Sequence, residues 1–276
     1  MFSLNLRGRL FTAERPLIMG ILNATPDSFH ADSRTTDIDI ALQMVDDMIR
    51  EGVDMVDVGG QSTRPGSSSI GSDAEKIRVV PLIREIRRHY PVLPISIDTY
   101  HASVASAAMD EGADLINDIS GGELDPAILT VAGKFSVPFI CTHMQGRPEN
   151  MQANPHYEDV LSEVMSFFRR KQRECEAAGI RDLILDPGFG FGKTLAHNYA
   201  LLSGIDVLKA LGHPLLVGVS RKSMIREMLG VTTAEALNGT TVLHTISLMK
   251  GADILRVHDV REAREAVVLV GACHSK

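Results

Sequence analysis

Eight short apolar runs divide the chain, and each opens on a proline or on a glycine in strict alternation. The runs at Leu17, Ile95, Phe139 and Leu215 follow Pro16, Pro94, Pro138 and Pro214. The intervening runs follow Gly52, Gly112, Gly179 and Gly251, and three are nearly the same phrase: G-V-D-M-V-D, G-A-D-L-I-N and G-A-D-I-L-R. Gly179 starts a looser version, G-I-R-D-L-I-L-D. Glycine takes the left-handed conformation that ends a helix, and proline is tolerated where a strand begins. Both mark helix-to-strand junctions. Eight junctions with helical segments between them predict alternating β and α units around a parallel sheet, a fold of the α/β class. Closed on itself, such a sheet is a (β/α)8 TIM barrel, which takes about 250 residues. The chain has 276, read as a single domain with a hairpin at 1–15 and the barrel at 16–272.

Helix signals fill in the outer layer. Ile38, Leu42, Val45 and Ile49 recur at helical spacing, with Asp37 as N-cap and Gly52 as stop. A second helix is predicted over 73–90 with a kink at Pro81. Residues 3–14 alternate around Arg7-Gly8-Arg9 and predict a hairpin covering the barrel floor. Long loops are expected at 25–36 and 59–72, and a further irregular stretch at 144–157. Loops of this length on a compact scaffold are functional or disordered, and their place at the barrel mouth favours function.

Function in such a barrel sits where the strands end. The eight runs end at or near Asn23, Asp57, Asp98, Asn117, His143, Asp186, Ser220 and Arg256, every one polar. Lys222 and His258 lie just beyond the last two and, with Arg256, can converge on an anion, because the loops after strands seven and eight commonly form a phosphate site. The plainer alternative is that these cations pair with neighbouring carboxylates. Asp98, Asn117 and Asp186 offer acceptors and one amide able to donate as well, a set suited to a flat heterocycle carrying amino and lactam groups. A heterocycle with phosphates at one end would satisfy both halves.

Composition narrows the reading. Hydrophobic residues make up 44% and charged residues 23%, ordinary for a globular domain with a large core. A net charge of −7 with scattered Lys and Arg argues against nucleic acid as a partner. No apolar run approaches the ~18 residues that cross a membrane, and the N-terminus lacks a signal-peptide pattern, so a cytoplasmic location is expected. Three widely spaced cysteines offer no disulfide framework. Two motifs nearly match and fail: G-F-G-F-G-K-T has Pro187 where a P-loop needs glycine, and Lys193 occupies the last glycine of a dinucleotide fingerprint. Neither H-E-x-x-H nor a Cys/His zinc set is present.

N-A-T-P-D-S-F from Asn23, S-T-R-P-G from Ser62, S-I-D-T from Ser96, N-D-I-S from Asn117, L-D-P-G-F-G-F-G-K from Leu185, S-R-K-S from Ser220 and R-V-H-D from Arg256 follow one another along nearly the whole chain. In this series the sequence resembles the bacterial dihydropteroate synthase family. The resemblance implies a homodimeric barrel that joins 6-hydroxymethyl-7,8-dihydropterin pyrophosphate to 4-aminobenzoate, a step of folate synthesis inhibited by sulfonamides. It implies that Asp98, Asn117, Asp186 and Lys222 hold the pterin, with Phe189, Gly218 and Arg256 in the same pocket. Asn23 would bind Mg2+. Asn23, Thr63, Arg64, Arg256 and His258 would serve the pyrophosphate, and Arg64, Pro65, Phe191, Lys222 and Ser223 the aminobenzoate, with Phe29 beside them. Asp98, Lys222 and Arg256 are the expected catalytic residues. One segment departs from the family: after D-S-F the chain reads H-A-D-S-R from His30 where S-D-G-G is usual, which alters how the first loop bends. A pterin-binding methyltransferase would not need S-T-R-P-G or S-R-K-S, and a non-catalytic paralogue should show damage at Asn23, Arg64, Asp98, Lys222 or Arg256. A Schiff-base aldolase using Lys222 is a further alternative.

Overall fold

A computed structural model describes residues 1–24, 34–61 and 70–274. The chain opens with strands β1 (Phe2–Leu6) and β2 (Arg9–Ala13), an antiparallel pair in which Leu6 faces Arg9. The turn residues Arg7 and Gly8 both have positive φ, 55° and 87°, as a tight two-residue hairpin demands. The barrel follows as β3 (Leu17–Asn23), α1 (Arg34–Arg50), β4 (Met55–Gly59), α2 (Ser72–His89), β5 (Ile95–Asp98), α3 (Ala102–Asp110), β6 (Leu115–Asp118), α4 (Ala127–Phe135), β7 (Phe139–Thr142) and α5 (Val160–Ala177). It is completed by β8 (Leu183–Asp186), α6 (Leu195–Ser203), α7 (Ile205–Lys209), β9 (Leu216–Val217), α8 (Ser223–Leu229), a 3-10 turn at Ala234–Ala236, α9 (Leu237–Met249), β10 (Ile254–Val257) and α10 (Val260–His274). All neighbouring barrel strands run parallel in the order β8-β7-β6-β5-β4-β3-β10-β9, and a parallel bridge from Leu185 to Leu215 closes the ring. This is the predicted (β/α)8 architecture with its N-terminal hairpin.

The period of two along each strand sorts side chains into two cores. Outward residues such as Ile18, Val56, Ile97, Ile116 and Leu255 join the core beneath the helices. Inward residues Leu17, Met19, Met55, Leu115, Ile140, Ile184, Leu216 and Ile254 form a smaller core inside the barrel, and Leu4 and Leu6 of the hairpin cap it from below. The hairpin therefore is the floor. Asn23, Asp57, Asp98, Asn117, Thr142, Asp186 and Arg256 follow on the same inward face, nearer the mouth.

Gly52, Gly112, Gly179 and Gly251 all have positive φ, between 82° and 106°, so the glycine signal does mark left-handed helix exits. Some boundaries differ from expectation. Helix α1 begins at Arg34, which puts Asp37 in its first turn, where an acid favours the helix dipole, and not at the N-cap. Its buried face is Ala41, Val45 and Met48, whereas Ile49 is 39% exposed, because the stripe is centred one residue away from the predicted one. Helix α2 is the single element expected, with Pro81 inside it. Strand β9 is only two residues long, and Ser220 lies past its end.

Candidate active site

At the centre of the barrel mouth Arg256, from β10, reaches across to two carboxylates. Its Nε donates to Asp57 Oδ2 at 2.7 Å and its Nη2 to Asp98 Oδ2 at 2.7 Å. Asn117 Nδ2 donates to the same Asp57 oxygen at 2.9 Å. Burial disfavours the guanidinium charge, but Asp57 and Asp98 outweigh it and hold Arg256 protonated beyond its ordinary range. Asp98 is pushed up to about 7, first by burial and then by the neighbouring carboxylates, with Arg256 opposing. The carboxylate pairing considered for Arg256 is thus real. It does not remove the residue from the site, since both partners face the same interior.

The other side of the mouth is built by the loop after β8. Asp186 Oδ1 takes the Gly188 N–H at 2.8 Å, and Thr142 Oγ1 lies 3.5 Å from Oδ2. Burial raises the Asp186 carboxyl, with Lys222 working against it. Lys222 donates to the Phe189 carbonyl and stands 4.5 Å above the centre of the Phe191 ring. Burial brings its ammonium down to about 8. The Phe189 ring itself is closed off from solvent, so the loop presents its backbone to Lys222 and its Phe191 face to the cleft. Gly218 lies against Arg256, where an added methyl group would sit 3.9 Å from Arg256 Cβ.

The S-R-K-S and R-V-H-D segments are tied together. Ser220 Oγ lies 2.9 Å from His258 Nδ1, and Arg221 forms a two-bond pair with Asp259 at 2.8 and 2.7 Å. Arg221 holds a positive φ of 54°, an uncommon conformation for a side-chain-bearing residue, and this places Lys222 and Ser223 at the start of α8. Asn23 ends β3, and the open face of Gly59 lies between it and Asp98: a methyl group there would sit 3.8 Å from Asn23 Oδ1 and 3.6 Å from Asp98 Oδ2. Thr63, Arg64, Pro65 and Phe29 fall outside the described residues.

Two residues of the site were not singled out by their motifs. Asp57 was legible only as a polar strand end, yet it occupies the last letter of G-V-D-M-V-D, the position held by Asn117 and Arg256 in the other two copies. The three touch because the repeat puts them at the same height. Lys193, the last letter of L-D-P-G-F-G-F-G-K and the residue that spoils the glycine fingerprint, is 2% exposed beneath the β8 loop. Its Nζ meets His143 Nδ1 at 3.0 Å and the carbonyls of His143, Gly188 and Phe191 at 3.1, 2.9 and 3.0 Å.

A parallel barrel whose mouth joins a carboxylate and amide cluster to a cationic corner is the design of an enzyme for a polar heterocycle bearing an anion. Residues 19–258 match the family described as pterin binding enzyme, and the chain belongs to that family. Within it the chain belongs with the dihydropteroate synthases. It is 43% identical over 247 residues to the dihydropteroate synthase of Haemophilus influenzae, covering 89% of each chain. To that of Escherichia coli K12 it is 42% identical over 268 residues, covering 96% of this chain and 94% of the other. The crystal structure of the Yersinia pestis dihydropteroate synthase with a sulfonamide drug complex superposes with a TM-score of 0.93 over 100% of both chains at 42% identity. The Xanthomonas albilineans dihydropteroate synthase with 4-aminobenzoic acid gives 0.92 at 37% identity, over 99% of this chain and 98% of the other.

Proposed function

We propose that the chain joins 6-hydroxymethyl-7,8-dihydropterin pyrophosphate to 4-aminobenzoate, giving 7,8-dihydropteroate and pyrophosphate. The observation that carries the reading is the Arg256 bridge to Asp57 and Asp98 beside Asn117, facing Lys222 and Asp186. Asp98, Asn117 and Asp186 accept from the pterin N–H groups, and Lys222, Gly218 and the Phe189 backbone complete that pocket. Arg256 and His258, with Thr63 and Arg64, take the pyrophosphate. Phe191, Lys222 and Ser223, with Arg64 and Pro65, hold the aminobenzoate, and a sulfonamide competes there.

Mg2+ fits the site modestly. No group of three or more His, Cys, Asp or Glu gathers among the described residues, but Asn23 offers a hard carboxamide oxygen next to Asp98. One protein oxygen plus substrate phosphates and water suits this ion. Asn23 would hold it, and when bound it would offset charge on the pyrophosphate.

The displacement is SN1-like. The exocyclic CH2–O bond breaks, its electron pair leaves with pyrophosphate, and Arg256 and His258 meet the growing charge with preorganised donors. The carboxylate of Asp98 favours the cationic CH2 as charge spreads into the pterin. The amine of 4-aminobenzoate then forms the C–N bond and releases a proton. Lys222 positions both substrates and needs no covalent bond.

Two copies form the active assembly in this reading. Helix α9 exposes Val242, Ile246 and Met249 at helical spacing, and α10 exposes Val268 and Leu269 at 60% and 68%, an apolar surface suited to a second copy of the chain. Sedimentation of the wild type should report a dimer, and Leu269→Glu should shift it to monomer.

The reaction is tested by incubating the protein with dihydropterin pyrophosphate, Mg2+ and radiolabelled 4-aminobenzoate. Labelled dihydropteroate that disappears with Lys222→Ala and Asp98→Ala supports both activity and site. No product, with calorimetric pterin binding intact, would leave the pocket standing and reject the synthase reaction.

A further inference from the structure

We infer that Asp57 is a positioning residue for this site, one buried carboxylate that fixes the direction of the Asn117 amide and the pose of the Arg256 guanidinium; the inference rests on the synthase reading above. Asp57 is 0% exposed, midway up the inward face of β4. Its Oδ2 receives both Arg256 Nε at 2.7 Å and Asn117 Nδ2 at 2.9 Å. Arginine can only donate, so this oxygen is an acceptor. The Asn117 atom facing it must then be the NH2 group, which leaves the Asn117 carbonyl oxygen for a ligand. An amide able to present either end is thereby turned into an acceptor, the polarity that a ring carrying N–H and NH2 groups requires.

Arg256 is constrained by the same contact. Asp57 holds Nε while Asp98 holds Nη2, so two adjacent corners of the planar fork are pinned by carboxylates on neighbouring strands β4 and β5. Among the described residues the Nη1 corner is left to meet an anion. With Asp98 alone, the guanidinium could swing with its single partner. Burying a carboxylate is costly, and Asp57 meets that cost only in part: among the described residues its Oδ1 has no hydrogen-bond partner, nor does Ser96 Oγ on the neighbouring strand. A residue kept only for stability would be better replaced by an apolar one of similar volume. Asp57 acts through its neighbours, since the atoms it touches are those of Asn117 and Arg256.

Asp57→Ala in the enzyme is expected to raise KM for dihydropterin pyrophosphate by about tenfold or more while KM for 4-aminobenzoate moves less than about twofold. In double-mutant cycles with Asn117→Ala and with Arg256→Lys, the combined losses should fall short of the product of the single losses by about fivefold or more. Asp57→Ala combined with Asp114→Ala at the barrel floor should multiply freely. Both KM values unchanged with only a reduced active fraction, or freely multiplying cycles with Asn117 and Arg256, would overturn the role. A reading independent of any variant comes from 15N side-chain spectra of the wild type. The Asn117 NH2 protons should be protected from solvent exchange without ligand, and rapid exchange would also overturn it. A wild type that makes no dihydropteroate would reject the synthase reading, whereas an active enzyme with freely multiplying variants would reject the role of Asp57 alone.

Discussion

Asp114 and Ile95 hold each other by two hydrogen bonds: the Asp114 N–H donates to the Ile95 carbonyl at 2.7 Å, and the Asp114 carboxylate accepts the Ile95 N–H at 2.9 Å. The pairing recurs around the floor. Asp54 does the same with Ile18 and Asp253 with Leu215. In each case the aspartate is the third letter of the glycine repeat, and its partner stands one or two residues past the proline that opens the neighbouring run. Asp114 is 5% exposed and also binds Arg87. Asp114→Ala leaves the buried Ile95 N–H without its acceptor and Arg87 with carbonyl partners but no carboxylate, which should cost about 2–4 kcal/mol. Urea unfolding measures that loss. Because the floor lies away from the chemistry, kcat/KM per folded molecule should stay within about twofold of wild type; a large loss of activity in fully folded protein would show that the floor does more than hold strands together.

Glu75 gives a stability signature that depends on pH. It is 1% exposed, and burial pushes its carboxyl up to about 7 from an ordinary 4.5, against the opposing effects of Thr99 and Arg78. The native state therefore keeps a proton that the unfolded chain releases, and this contribution to stability declines as pH rises from about 4.5 to 7. Buried His143 and His244, held down to about 2 and about 4, act in the opposite sense in an overlapping range. The informative quantity is thus the difference between Glu75→Gln and wild type. Scanning calorimetry should show the variant gaining in relative Tm between pH 5 and 8. A difference that is flat or falls would contradict the buried, protonated glutamic acid.

The strands and their polar ends were legible because a barrel repeats one unit, and the unit left its wording in the chain. Gly52, Asp54 and Asp57 are helix exit, floor clasp and site residue in a single six-residue phrase. What escaped was which residues pair. Arg256 and Asp57 are 199 residues apart and meet only because β10 closes the ring beside β3, one strand away from β4. Lys193 was illegible for a different reason: a lysine among glycines reads as exposed, and only the folded loop turns three carbonyls onto its ammonium. Helix α1 was misplaced because Ile38 and Ile49 flank its stripe, whereas the small Ala41 that packs inward carries a weak hydrophobic signal.

Lys193 should couple stability to the aminobenzoate subsite. Its three carbonyl contacts fix the loop that places the Phe191 ring beneath Lys222. Lys193→Met fills similar volume but abandons those buried acceptors, at an expected cost of about 2–4 kcal/mol. KM for 4-aminobenzoate should rise more than KM for the pterin substrate, since Asp98 and Asn117 stand on other strands. Steady-state kinetics at saturating concentrations of each fixed substrate would check this. Equal changes in both constants would mean that the loop moves as a whole and that Phe191 is not its sensitive point.

Asp98→Asn separates charge from shape at the reacting end of the site. The asparagine oxygen can still accept from Arg256 Nη2, so the 2.7 Å contact has a neutral replacement and the guanidinium keeps its Asp57 anchor. What is lost is the negative charge facing a developing cation, in a buried place where charge interactions are weakly screened. Turnover should therefore fall by tenfold or more, at least about 1.4 kcal/mol of barrier, with pterin binding little changed. Single-turnover rates with preformed enzyme–pterin complex report the chemical step directly. A loss below tenfold there would mean that Asp98 holds the ring and Arg256 without stabilising the cation, and the SN1-like displacement would lose its main electrostatic support.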